Sequence, residues 1–161
     1  MQIENATTPE DFAEARELIL EYANSLDFGL EFQKFDRELE NLSEMYGVSN
    51  SALLLARVDG IAAGTVALRP FDQGRCEMKR MWVRPQFRQQ GIGRSLAREI
   101  INIGRQLDYR SMLLDTTARM QAAIDLYSSF GFVEISPYRH NPIDDAKYYQ
   151  LELIAVAENN S

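Results

Sequence analysis

The chain has 161 residues, 45% apolar and 25% charged, with one cysteine, one histidine and a net charge of −7. That is length enough for a real core, so we expect a single folded domain over 1–161, and an acidic chain argues against nucleic-acid binding. One cysteine with one histidine is too little for a usual zinc site; with no apolar run of membrane-spanning length and no leader pattern, the expectation is a cytoplasmic protein with no metal and no membrane partner.

In chain order, 2–6 reads as an edge strand. Thr8-Pro9-Glu10-Asp11 is a helix start: Thr8 caps, Pro9 fits the first turn, and the acids favour the positive end of the dipole. Phe12, Ala15, Leu18, Ile19, Tyr22 and Leu26 then trace one apolar face. Gly29 interrupts, and a second helix is expected over 35–45, ending near Gly47. Residues 51–58 and 61–69 form a hairpin about Asp59-Gly60, with Gly64 at a bulge or a close backbone approach. A loop is expected over 70–74 and a strand over 75–83.

Pro85 stops that strand, and Gly91 and Gly93 open an amphipathic helix with Leu96, Ile100, Ile103 and Leu107 on one face. Strand 111–116, helix 120–130 capped by Gly131, strand 132–136, loop 137–145 and strand 146–154 follow. The expected order is β-α-α-β-β-β-α-β-α-β-β, an α/β fold around a mixed sheet of six to seven strands flanked by four helices.

The charge is uneven. Residues 75–110 hold nine Lys/Arg and three Asp/Glu, whereas 1–45 hold twelve acids and three bases. The basic stretch surrounds Arg88-Gln89-Gln90-Gly91-Ile92-Gly93-Arg94. Glycines at a helix entrance let first-turn N–H groups, which lack intrahelical partners, approach an anion, and phosphate is the usual one. The run is neither a dinucleotide fingerprint, since Leu96 takes the third glycine position, nor a P-loop, since Arg94 follows Gly93. A plain strand–helix turn with glycines for close packing is the other reading. Arg98, Arg105 and Arg110 read as solvated helix face.

The R-x-x-G-x-G turn after Glu77-Met78-Lys79-Arg80-Met81-Trp82-Val83, with the later Leu126-Tyr127-Ser128-Ser129-Phe130-Gly131-Phe132, resembles the GNAT superfamily of N-acetyltransferases over residues 1–153. The resemblance implies acetyl-CoA as donor and an amine of a small molecule or peptide as acceptor, attacked directly in a ternary complex. It implies that the amides of Gln89, Gln90, Gly91, Ile92, Gly93 and Arg94 hold the pyrophosphate, with the side chain of Arg88 or Arg94 adding charge-assisted contacts or pointing to solvent. Met81 and Val83 would serve the pantetheine arm and thioester oxygen through their backbone, with a bulge shifting the register by one.

By the same resemblance, Glu77, eleven residues before Arg88, would be the base that deprotonates the amine, its pKa raised by partial burial. The alternative is that Glu77 pairs with Lys79, Arg75 or a facing arginine. Tyr127 would protonate the leaving thiolate, or pack against the pantetheine. Two positions depart from the family. Gln89 replaces a common glycine, and Met120 stands where asparagine is common, leaving Gln121 to supply a polar contact. His140 reads as structural. The acidic first helices, walling the acceptor site, would favour a cationic amine. A coenzyme-A-binding sensor that has lost turnover is the second reading; a serine or cysteine hydrolase lacks its elbow and triad. A monomer and a homodimer are both compatible with the last strand.

Overall fold

The computed structural model describes residues 1–26, 32–140 and 145–154, and the side chains of 32–34 are not described. Seven strands form one mixed sheet. They are β1 (Gln2–Asn5), β2 (Ala52–Val58), β3 (Ile61–Asp72), β4 (Arg75–Val83), β5 (Ser111–Thr117), β6 (Val133–Ile135) and β7 (Ala146–Glu152), in the order β1-β2-β3-β4-β5-β7-β6. Only β4 and β5 pair in parallel. The helices are α1 (Pro9–Ser25), α2 (Phe32–Glu40), α3 (Leu42–Tyr46), α4 (Ile92–Gln106) and α5 (Gln121–Ser129).

The sheet buries both faces. On one, α4 and α5 bring Leu96, Ile100 and Tyr127 against Leu54, Val66 and Met112. On the other, α1 to α3 bring Leu18, Leu39 and Tyr46 against Leu53, Leu55 and Ala67. Helix α1 starts as its sequence dictates. The Thr8 hydroxyl accepts from the Asp11 N–H at 3.1 Å, and the Asp11 carboxylate accepts from the N–H of Thr7 and Thr8 at 3.0 and 3.2 Å.

Two expectations are corrected. The helix expected over 35–45 is two helices, so among the described residues five flank the sheet rather than four. Asn41 breaks it: its side-chain N–H donates to the Arg37 carbonyl at 2.8 Å, and its backbone leaves the helical region at φ −124°, ψ 29°. The loop expected over 70–74 shrinks to a turn, because β3 runs on to Asp72 with Pro70 opposite Cys76. There β3 has passed beyond β2, whose pairing stops at Ala52↔Leu68, so Pro70 sits at an edge that needs no donor. Gly29 and residues 141–144 lie outside the described residues. Gly64 is a close approach: a Cβ there would meet the Trp82 carbonyl oxygen at 2.9 Å.

Candidate active site

Strands β4 and β5 stay paired over three positions, Arg75↔Ser111 to Glu77↔Leu113, and then part. The cause is a bulge on β4. Thr65 faces Trp82 but Ala67 faces Lys79, so Arg80 and Met81 together oppose one residue of β3, and Arg80 takes φ +60°. The gap holds a cavity of about 130 Å³. Met78 to Met81 line it on one side and Leu114 to Thr117 on the other; Tyr22 of α1, Met120 just before α5, and Ala123 and Tyr127 of α5 close it.

The β4–α4 turn ends beside this gap. Gln89 and Gly91 have φ of +63° and +80°, and Gly91 is the N-cap of α4. The first backbone bond of the helix is Ser95 N–H to the Gly91 carbonyl at 3.0 Å, and no side chain caps it. The amides of Ile92, Gly93 and Arg94 therefore precede the first such bond. A Cβ on Gly91 would meet nothing within 4 Å; one on Gly93 would reach Leu126 and Val83 only at 3.8 Å. Close packing does not demand glycine at 93, and the space at the helix mouth suits a phosphate laid on bare amides.

The arginines of the turn point away from that mouth. Arg88 Nε donates to the Val83 carbonyl at 3.0 Å, with its guanidinium 4.8 Å over the Trp82 ring. Arg94 donates to the Ser129 hydroxyl at 3.2 Å and lies 5.5 Å over Phe130. Of the two strand positions nominated, Met81 lines the cavity and Val83 lies beyond it. Tyr127 is buried at the cavity wall, edge-on to Phe132 at 5.8 Å, and burial raises the pKa of its hydroxyl. Gln121 is exposed, and its amide donates to Asp125 at 2.7 Å, whereas Met120 reaches the cavity.

Glu77 has no solvent exposure and is not part of the cavity wall. One oxygen accepts from Arg69 at 3.0 Å; the other accepts from Tyr138 at 2.8 Å and Arg139 at 2.5 Å. Burial pushes its carboxyl up, but Lys79, Arg139 and Arg69 outweigh that and hold it below the ordinary value. The raised pKa that the sequence reading asks of it is not found. The facing arginine anticipated as the alternative is Arg69, and Arg139 joins it.

Of the acidic wall expected from the first helices and their joining loop, residues 27–31 lie outside the described residues, and the following acids are engaged by arginines. Glu4, Asp11 and Glu14 converge on Arg57; Glu17 and Glu21 pair with Arg84; Glu38 pairs with Arg80 at 2.6 Å. Among the described residues the charges lining the cavity are Lys79, Arg80 and Asp115. Lys79 escapes sequence reasoning except as a partner for Glu77, although its place two residues on, hence on the same strand face, was the available signal. Among the described residues no group of His, Cys, Asp and Glu is placed to hold a metal ion, and no helix is long and apolar enough to cross a membrane.

The acetyltransferase (GNAT) family profile matches residues 13–132. An uncharacterized N-acetyltransferase of Schizosaccharomyces pombe is 42% identical over 147 residues, 90% of each chain. A second, from Escherichia coli, is 27% identical over 74% of this chain and 72% of its own. A GNAT-family acetyltransferase of Staphylococcus aureus has the same fold, with a TM-score of 0.79 at 24% identity over 95% of this chain and 100% of that one. A Salmonella typhimurium acetyltransferase solved with its cofactor acetyl-CoA superposes with a TM-score of 0.71 at 19% identity, covering 98% and 96%. The chain belongs to the GNAT acetyltransferase family and is an acyltransferase of that family.

Proposed function

We propose that the protein is an acetyl-CoA-dependent N-acetyltransferase acting on a primary amine of a small molecule or peptide. The observation that carries this is the pairing of an uncapped helix mouth at Gly91–Gly93 with a cavity between parted strands that ends at Tyr127. In this reading the amides of Gln89 to Arg94 hold the diphosphate. The bulged backbone at Arg80 and Met81, freed from β5, receives the pantetheine amides and the thioester carbonyl. When bound, acetyl-CoA supplies an activated acyl group.

The protein orients that group, excludes water with Met78, Met120 and Ala123, and moves protons. Tyr127 gives its phenolic proton to the departing sulfur; burial, which keeps the hydroxyl protonated, suits an acid. Glu77, with both oxygens engaged, anchors Arg139 and Tyr138 rather than taking a proton. The competing reading, a sensor without turnover, has no observation in its favour.

Calorimetry with acetyl-CoA, then thiol release over a panel of primary amines, tests the proposal. Binding followed by amine-dependent thiol release is expected. Failure to bind acetyl-CoA, or binding with no release for any amine, rejects it.

A further inference from the structure

Beside the cavity lies a cluster of buried charge. Arg80 is held by Glu38 of α2 at 2.6 and 3.1 Å, Arg69 of β3 by Glu77, and Arg139 by Glu77 and, at 3.8 Å, Asp115. Among the described residues those are three arginines and three carboxylates, already balanced. Lys79 is the seventh charge. Its nitrogen has one ionic neighbour, Asp115 Oδ1 at 3.9 Å, and no hydrogen bond among the described residues. Its side chain is 11% exposed and lines the cavity, opposite Asp115. Protonated, Lys79 leaves the cluster one charge over in a poorly solvated place; neutral, it leaves the cluster even.

We propose that Lys79 is the general base of the acetyl transfer: its neutral amine takes the proton from the acceptor ammonium, and Asp115 positions it at the cavity wall. This rests on the function proposed above and assigns the role that Glu77 is placed too deep to fill. Two protons leave the acceptor nitrogen. The first passes to Lys79 Nζ and on to solvent, which frees the lone pair. The C–N bond then forms as the C–S bond breaks; Tyr127 gives its proton to sulfur, and the second proton passes from the acceptor nitrogen through solvent to the Tyr127 oxygen, which restores the phenol. No oxidant or further reactant is needed.

The surroundings agree. Burial pulls the Lys79 pKa down, Asp115 and Glu77 push it back up, Arg80 and Arg69 lower it again, and the net direction is down. The other groups facing this region are Glu38 of α2, Tyr22 of α1, Tyr46 of α3, Tyr127 of α5, Tyr138 and Arg139 before β7, and Tyr148 on β7. Tyr22, Tyr46, Tyr127 and Tyr138 are pushed upward and stay neutral at working pH.

The chain has three lysines, Lys34, Lys79 and Lys147. Lysine labelled with ¹³C at Cε therefore gives three signals, and Lys79→Arg assigns one by its loss. We expect the Lys79 signal to titrate below the ordinary lysine range; titration within that range overturns the proposal. The second arm is kcat/KM against pH, with acetyl-CoA and the best amine of the panel. Lys79→Met should lose about 10²-fold at pH 7 and recover to within a few-fold near pH 10, where the acceptor deprotonates unaided. An equal loss at every pH, or no loss, overturns it. If Lys79→Met does not fold, Lys79→Arg keeps the cation, cannot accept a proton and must show the same recovery. Absence of acetyl-CoA binding by the wild type is read separately by calorimetry and counts against the parent reading.

Discussion

Gly93 separates a packing role from a binding role within a single residue. A methyl there is 3.8 Å from its nearest neighbours, and alanine is favoured over glycine in a helix by about 1 kcal/mol. Gly93→Ala should therefore raise Tm or leave it unchanged while weakening acetyl-CoA binding at least tenfold; a weakened fold with intact binding would mean that the glycine serves packing. Gln89 differs. At φ +63° it bears about 1 kcal/mol of left-handed strain, which a β-branched side chain would increase. Gln89→Val should lower both Tm and acetyl-CoA affinity, and Gln89→Gly should do neither. Tyr127→Phe should cut kcat about 10²-fold with little change in the KM for acetyl-CoA; an equal kcat would make the ring a packing residue. At this scale the sequence was legible where backbone alone acts. R-x-x-G-x-G placed the helix mouth correctly, but it could not tell that Arg88 folds onto Trp82 or that Glu77 lies fully enclosed. The enclosure of Glu77 depends on Arg139 and Tyr138, about sixty residues downstream.

Strands and helices were easier to read than their joints. The continuous apolar runs of β2, β3 and β5 and the apolar stripe of α4 fix those elements, and the capping box fixes the start of α1. Asn41 and Pro70 misled because each is a breaker whose effect depends on a neighbour: the Arg37 carbonyl in one case, and the missing β2 partner in the other. The acids of α1 were visible, but their partners on β2 and β4 were not. Arg57, on β2, holds β1 and α1 together through three carboxylates at 2.7–2.9 Å. Arg57→Ala should cost about 1–2 kcal/mol, seen as a lower urea midpoint, because three like charges then face one another. Since Glu4, Asp11, Glu14, Glu17, Glu21 and Glu38 are engaged, they should give polyamines no advantage over neutral-tailed amines in the thiol-release panel; a strong, salt-sensitive polyamine preference would place an acidic wall on other acids of the first 45 residues.

For the whole molecule, the ion pairs set an acid limit. Hydrogen bonds from Arg84 lower the pKa of Glu21, and the N–H groups of Thr7 and Thr8 lower that of Asp11. Groups with depressed native values contribute fully above their ordinary values of 4.5 and 3.8, and lose that contribution as pH falls through the native ones. Thermal melts should thus hold steady down to about pH 5 and fall below pH 4.5. At the other end, burial pushes the Cys76 thiol up to about 12, so a thiol reagent at pH 8 should find no reactive sulfur in the native protein and one after unfolding. The sheet order β5-β7-β6 carries a consequence for synthesis. The strand made last is the keystone between two made before it. A nascent chain halted on the ribosome before residue 146 leaves β5 with a bare edge and β6 with nothing to hold, so the arch closes only once that strand has cleared the exit tunnel. Stalled chains should therefore stay protease-sensitive over 133–135 until the tunnel has released residue 152.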